Sequence, residues 1–206
     1  MTQNVFIVVS LCCVMDLKEA IEGRASVRRY SDKKPDWRKI LRAIDAVRFA
    51  PSAGGKFVMK FILVSDEKKI AEIAAATQQD FVGTAKYIVV AVSDDSKLVQ
   101  SYNEGGVRFA AQQAGAAIEN FLLALTEEKL ATTWVGHFYA EQIQRALDIP
   151  DGLIIEAVFP IGIETQFAGR NSLVAGRKVK LENIIYFEKW GAKEMKPSVK
   201  MSREVI

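Results

Sequence analysis

Along the chain, stretches with apolar residues three and four apart alternate with short uninterrupted apolar runs. The first spacing predicts amphipathic helices and the second predicts buried strands. Asp16 and Glu19 have the form of a capping box ahead of Leu17, Ala20 and Ile21, and Gly23 ends that helix. Pro35-Asp36 opens a second helix with Trp37, Ile40, Leu41, Ile44 and Val47 on one side, and Pro51 stops it. "PSAGG" (Pro51–Gly55) is a loop by composition, and "FVMKFILV" (Phe57–Val64) is a strand. Ser65 caps an Ala-rich helix running to about Thr77, and "YIVVAV" (Tyr87–Val92) reads as a strand covered on both faces.

"SDDSKLVQSYNEGG" reads as a surface connection leading to a long helix, about Val107 to Glu128. That helix carries Ala110, Ala111, Ala114, Gly115 and Ala117, small residues that let another backbone come close, inside the core or at a subunit interface. "ATTWVGHF" (Ala131–Phe138) is a strand or turn-strand, and Ala140–Leu147 is a short helix. "LIIEAVFPIGI" (Leu153–Ile163) is a strand, kinked or at a sheet edge near Pro160. "VKLENIIYFEKW" (Val179–Trp190) gives a late strand or short helix before a polar tail. No linker is rich in Pro, Gly or Ser and no internal repeat is present, so one α/β or α+β domain is expected.

Composition narrows this little. At 206 residues the chain is long enough to bury roughly 70% of its unfolded surface. Its 28 basic against 25 acidic residues leave a net charge of +3, too small to argue for nucleic acid or a membrane by bulk electrostatics. Cys12 and Cys13 are adjacent and His137 is the sole histidine, which argues against a metal site and leaves a reduced, cytoplasmic setting as the default. The apolar run Val5–Met15 is too short to span a bilayer, and "MTQN" before it carries no Lys or Arg. It reads as an edge strand or as a non-secretory extension ahead of a natural start at Met15, the second being favoured; residues 1–14 are therefore set apart as an N-terminal extension.

Four segments are candidates for chemistry. In "GRASVRRYSD", an extended backbone would point Arg24, Ser26 and Arg28 one way, two guanidinium forks flanking a hydroxyl as a phosphate receptor would require. A solvated basic link is the alternative. In "APSAGG", Ser52 offers a hydroxyl and Gly54-Gly55 allow close backbone approach to a flat ligand, without the pattern of a P-loop or a Rossmann turn. In "TTWVGHF", Gly136 can present main-chain groups to a heterocycle, while Trp134 reads equally as core and His137 lacks a partner for a triad. "GRKVK" (Gly176–Lys180) is a basic cluster. With no nucleophile elbow, carboxylate pair or metal-ligand set in view, the chemistry of an enzyme built this way would belong to a bound cofactor.

In order, these residues resemble the nitroreductase family of FMN-dependent oxidoreductases. The R-x-S-x-R-x-Y segment (Arg24, Ser26, Arg28, Tyr30), the A-P-S loop (Ala50–Gly54), "QDFVGTAKYIVVAV" from Gln79, "AGAAIENFLLAL", "WVGHF", "LDIPDG…PIGI" and the basic run before "LENIIYFEKW" follow the family's sequence of motifs from about Met15 to Trp190. The resemblance implies an α+β fold with a mostly antiparallel central sheet flanked by helices, in an intertwined homodimer with flavin sites at the interface. It implies a domain over 15–190 and a C-terminal tail over 191–206. FMN would be held by Arg24, Ala25, Ser26 and Arg28 at the phosphate and ribityl chain, with Arg177 or Lys178 closing over the phosphate. Pro51, Ser52, Ala53 and Gly54 would line the flavin from the partner subunit. Gln79 would touch the ribityl chain or ring edge, and Val135, Gly136 and His137 would face the ring near N5. NAD(P)H would be the electron donor and a nitroaromatic, quinone or flavin the acceptor, in ping-pong order.

One departure stands out. Where many members continue after A-P-S with Asn-x-Gln-Pro-Trp, this chain has Gly55, Phe57, Val58 and Met59, so the acceptor-side wall differs. That departure motivates a rival reading, a flavin- or nucleotide-binding sensor or carrier without turnover. A nucleic-acid binder rests on the arginine cluster alone.

Overall fold

The computed structural model describes residues 15–165 and 179–193. The extension at 1–14, Arg177, Lys178 and the tail beyond 193 lie outside the described residues. The chain divides into one unit through Ser172 and a second from Leu173.

In the first unit, helix α1 (Leu17–Gly23) starts with the expected capping box: Glu19 N–H donates to the Asp16 carboxylate at 2.7 Å, and Asp16 N–H donates to Glu19 at 3.2 Å. Helix α2 (Trp37–Ala46) is capped by Asp36 and buries Ile40, which its spacing singled out, and Ala43, which it did not; Trp37 and Leu41 of the expected apolar face are exposed. Strand β1 (Met59–Val64) leads to α3 (Glu67–Thr77), whose cap is Asp66, one residue beyond the expected Ser65; its carboxylate accepts from Lys69 N–H. Strand β2 (Tyr87–Ser93) is buried at every position.

The supposed surface connection after β2 contains a helix, α4 (Ser96–Tyr102). Its Leu98 is fully buried and packs with Val58 and Ala110, a single apolar anchor too sparse for a periodicity reading to catch. Helix α5 (Glu104–Glu127) follows directly, so tightly that a Cβ on Gly106 would meet the Leu98–Val99 backbone at 2.4 Å. Strand β3 is only Ala131–Thr132, α6 spans Ala140–Leu147 and β4 spans Ile154–Gly162.

The sheet order is β1-β2-β4-β3, and every pair is antiparallel, as the α+β expectation required. Alternation along β2 sends Tyr87, Val89 and Ala91 into one core with α2 and α5, and Ile88, Val90 and Val92 into another with α3 and α6. Phe121 and Phe159 meet edge to face at 5.3 Å in the first core, both fully buried. Burial of that kind stabilises by about 1.5–3 kcal/mol per large side chain.

Pro160 does not mark an edge, because β4 is an inner strand. Val158 exchanges both main-chain hydrogen bonds with Val135, so Pro160, two residues on, faces the same side. In that register Thr133 stands opposite Pro160, and the ladder is interrupted there, between Thr132 and Val135, where the N–H is missing.

The second unit is described over 179–193. Its only helical turn there is a 3-10 turn at Leu181–Asn183, followed by a Tyr186–Trp190 ring pair at 4.8 Å with the Lys193 ammonium over Tyr186.

Candidate functional site

The arginine segment is fixed by two successive partners. Ser26 bridges Thr132 in parallel, Val27 N–H donates to Thr132 O at 2.8 Å, and the Thr133 hydroxyl donates to Val27 O. By Tyr30 the chain has crossed to an antiparallel bridge with Glu164, and Ser31 N–H donates to Ile163 O. Tyr30 locks this crossing: its hydroxyl donates to Val27 O at 2.7 Å and Pro160 O at 3.2 Å. Burial pushes the Tyr30 phenol well above its ordinary pKa, outweighing the hydrogen bond with Thr133 and the charge of Arg28, which pull it down. A Cβ on Gly162 would meet the Tyr30 ring at 2.7 Å, so a glycine is needed under it.

Because the segment changes partner after Val27, its three polar residues do not stay together. Arg24, Ala25 and Ser26 line a cavity of about 270 Å³ with Glu119, Leu122, Thr132 and Trp134. Arg28 is exposed outside it, its guanidinium 5.6 Å from the Phe81 ring centre, beside the turn that Gln79 begins. Simple alternation of an isolated strand would have kept Arg28 with Arg24; the handover from Thr132 to Glu164 takes it away. Arg29 is exposed as well.

Glu119 was visible only as part of a helix motif, yet its carboxylate oxygen stands 3.8 Å from Arg24 Nε. Thr132 and Trp134 come from the β3 end, where Thr132 Oγ1 is buried without a hydrogen-bond partner among the described residues. A buried hydroxyl left unpaired costs about 1–3 kcal/mol, which a polar ligand in the cavity would recover.

The A-P-S loop sits elsewhere on α5. Pro51, Ser52 and Ala53 line a second cavity of about 200 Å³ with Phe109, Gln112 and Gln113. Gln113, 3% exposed, holds the loop's far end: Val58 N–H donates to its Oε1 at 2.7 Å and its Nε2 donates to Lys56 O at 3.2 Å. Gly54 has φ +57°, and a Cβ there would lie 2.6 Å from the Tyr102 hydroxyl, so only glycine fits. Phe57 projects between the two clamped residues and is 39% exposed.

Val135 is buried with both main-chain groups spent on Val158. Gly136 is exposed, its N–H makes no main-chain hydrogen bond among the described residues, and the Trp134 indole nitrogen would lie 3.9 Å from a Cβ on it. His137 is exposed beside it. Arg177 and Lys178 lie outside the described residues. Among the described residues no cluster of His, Cys, Asp or Glu could hold a metal ion, and no helix is long and apolar enough to cross a membrane.

Gln112 and Glu119 are seven residues apart, so the two cavities open on one face of α5, about 10 Å apart along the helix. Between them Gly115 has nothing within 4 Å of a built Cβ.

Known proteins resemble this chain in sequence and fold. A protein of Methanothermobacter thermautotrophicus, provisionally described as an NADH dehydrogenase/NAD(P)H nitroreductase, is 28% identical over 172 residues, covering 82% of this chain and 87% of that one. A nitroreductase family protein from Clostridium novyi superposes with a TM-score of 0.68 at 28% identity, over 86% of this chain and 96% of that one. A Desulfovibrio desulfuricans protein, provisionally described as a nitroreductase and solved in complex with FMN, gives a TM-score of 0.70 at 27% identity, over 82% and 94% of the two chains. The model of the nitroreductase family matches residues 21–81 and 71–163, and the chain belongs to that family.

Proposed function

We propose that this chain is an FMN-dependent oxidoreductase that takes hydride from NADH or NADPH and delivers it to a small acceptor such as a nitroaromatic, quinone or flavin. The observation that carries this reading is the cavity of Arg24, Ser26 and Thr132: a cation, a hydroxyl and a second, unpartnered hydroxyl in a family one of whose solved members holds FMN. FMN held here would supply the two-electron chemistry between a nicotinamide donor and the acceptor.

The protein's part is binding and orientation. Arg24 and Ser26 hold the phosphate, with Ala25 carrying the backbone past it. Arg28 goes with Gln79 and the ribityl or ring side rather than with Arg24. Gly136, with Val135 fixing its position and His137 beside it, offers its N–H to the ring edge. Pro51, Ser52, Ala53 and Gly54 serve the flavin of a second subunit. The open face of α5 supports such a homodimer, since a second α5 laid across Gly115 would bring one chain's Arg24 cavity towards the other's A-P-S loop.

The test is FMN affinity, followed by quenching of flavin fluorescence. Arg24→Ala should weaken FMN binding at least tenfold, the scale of one lost charge-assisted hydrogen bond of about 1.5–3 kcal/mol. Arg29→Ala should change it less than twofold. Wild-type protein that stays colourless with added FMN, or equal losses in both variants, would sink the reading.

A further inference from the structure

The cavity beside α5 was expected to be cationic, and its described lining is not. Its lining contains one guanidinium, Arg24, and one carboxylate, Glu119, with Nε and Oε1 3.8 Å apart. The other polar groups there, Ser26, Thr132 and the Trp134 indole, are neutral, and Arg28 is committed to Phe81 outside it. The formal charge of the described lining is therefore zero. A phosphate monoester brings a charge between about −1.5 and −2 at neutral pH.

Glu119 cannot simply step back. Ile118 beside it and Leu122 three residues on are buried, 1% and 5% exposed, so α5 is anchored and only the Glu119 side chain can swing. Its carboxylate is 49% exposed and Arg24 is 38% exposed, which keeps the pair weak enough to be displaced. A phosphate seated on Arg24 and Ser26 must compete with that carboxylate for the guanidinium and then remain close to it.

We propose that Glu119 is a specificity-determining residue of this site: it competes with phosphate for Arg24 and so weakens phosphate-bearing flavin relative to flavin without phosphate. The inference rests on the flavin reading above. Glu119 sets how readily FMN is held and released, and it narrows the advantage that FMN has over riboflavin.

The two flavins differ only in the phosphate, which makes them the probes. Full-length wild type and Glu119→Gln are titrated with FMN and with riboflavin at fixed ionic strength. Glu119→Gln should tighten FMN about tenfold, the effect of removing one like charge near a protein surface. Riboflavin should change less than twofold, and raising the salt should shrink the FMN gain. Glu119→Asp, which keeps the charge, should keep the wild-type ratio of the two affinities. FMN binding that is unchanged or weaker in Glu119→Gln would overturn the proposal, as would equal shifts for both flavins. Wild type that binds FMN while Glu119→Gln shows no selective gain overturns the role of Glu119 alone; wild type that binds neither flavin overturns the flavin reading and this inference with it.

Discussion

Removing the Gln113 clamp should loosen the A-P-S loop at a cost that the hydrogen bonds allow one to work out. Gln113→Leu keeps the volume but leaves Val58 N–H and Lys56 C=O without their side-chain partner. The Val58 N–H is buried, and an unpaired buried donor costs about 1–3 kcal/mol. The Lys56 carbonyl is only partly buried, so its lost bond is worth about 0.5–1.5 kcal/mol. An apolar side chain at a site 3% exposed offsets part of this by burial. The net loss is about 2–3 kcal/mol, which for a chain of this size lowers Tm by about 4–12 °C. Thermal and urea unfolding followed by tryptophan fluorescence and circular dichroism would measure it. Gln112→Ala, next along the helix and exposed, is the control and should stay within about 0.5 kcal/mol of wild type. A Gln113→Leu protein as stable as this control would refute the clamp.

A second expectation concerns acid. Arg42 donates to Glu128 through Nε at 2.5 Å and a terminal nitrogen at 3.0 Å, and this hydrogen bonding holds the Glu128 carboxyl below its ordinary pKa. Its stabilisation is therefore complete above about pH 4.3, the unfolded carboxyl's value, and is lost as pH falls through the lower folded value. Glu128→Gln should cost about 0.5–1 kcal/mol at pH 7 and nothing near pH 2–3; a difference that stays constant across urea melts between those pH values would contradict it. In Gly162→Ala, the new methyl would press on the Tyr30 ring, and overpacking of that kind costs about 1–3 kcal/mol. An unchanged melting temperature would show that the ring can move aside.

The elements that sequence periodicity located well are those whose apolar pattern is dense. β2 and α5 each carry enough buried positions that their spacing leaves one reading. α4 has one buried residue, Leu98, and could not be told from a loop. β4 was found, but its place inside the sheet depended on how Val135 pairs with Val158, a contact between residues 23 apart that no local pattern encodes. The site shows the same divide. Arg24 and Ser26 were grouped by a local pattern, and the structure puts both on one cavity. Arg28 was misgrouped because the segment changes partner strand between Val27 and Tyr30. Glu119 and Gln113 look like ordinary polar positions of a helix until the segments they face, Arg24 and Lys56–Val58, are folded against them. In the A-P-S loop Gly54-Gly55 were read as allowing close approach of a ligand; at Gly54 the neighbour that comes close is the Tyr102 hydroxyl, from α4.

The central claim is that flavin bound by this chain exchanges hydride with a nicotinamide. It is tested most directly by the absorption spectrum of FMN-loaded protein under anaerobic conditions before and after one equivalent of NADH or NADPH. At least one of them should bleach the oxidised flavin bands, and a nitroaromatic or quinone added afterwards should restore them. Bound flavin that neither nicotinamide bleaches would contradict the claim and would leave a flavin-binding sensor or carrier in its place.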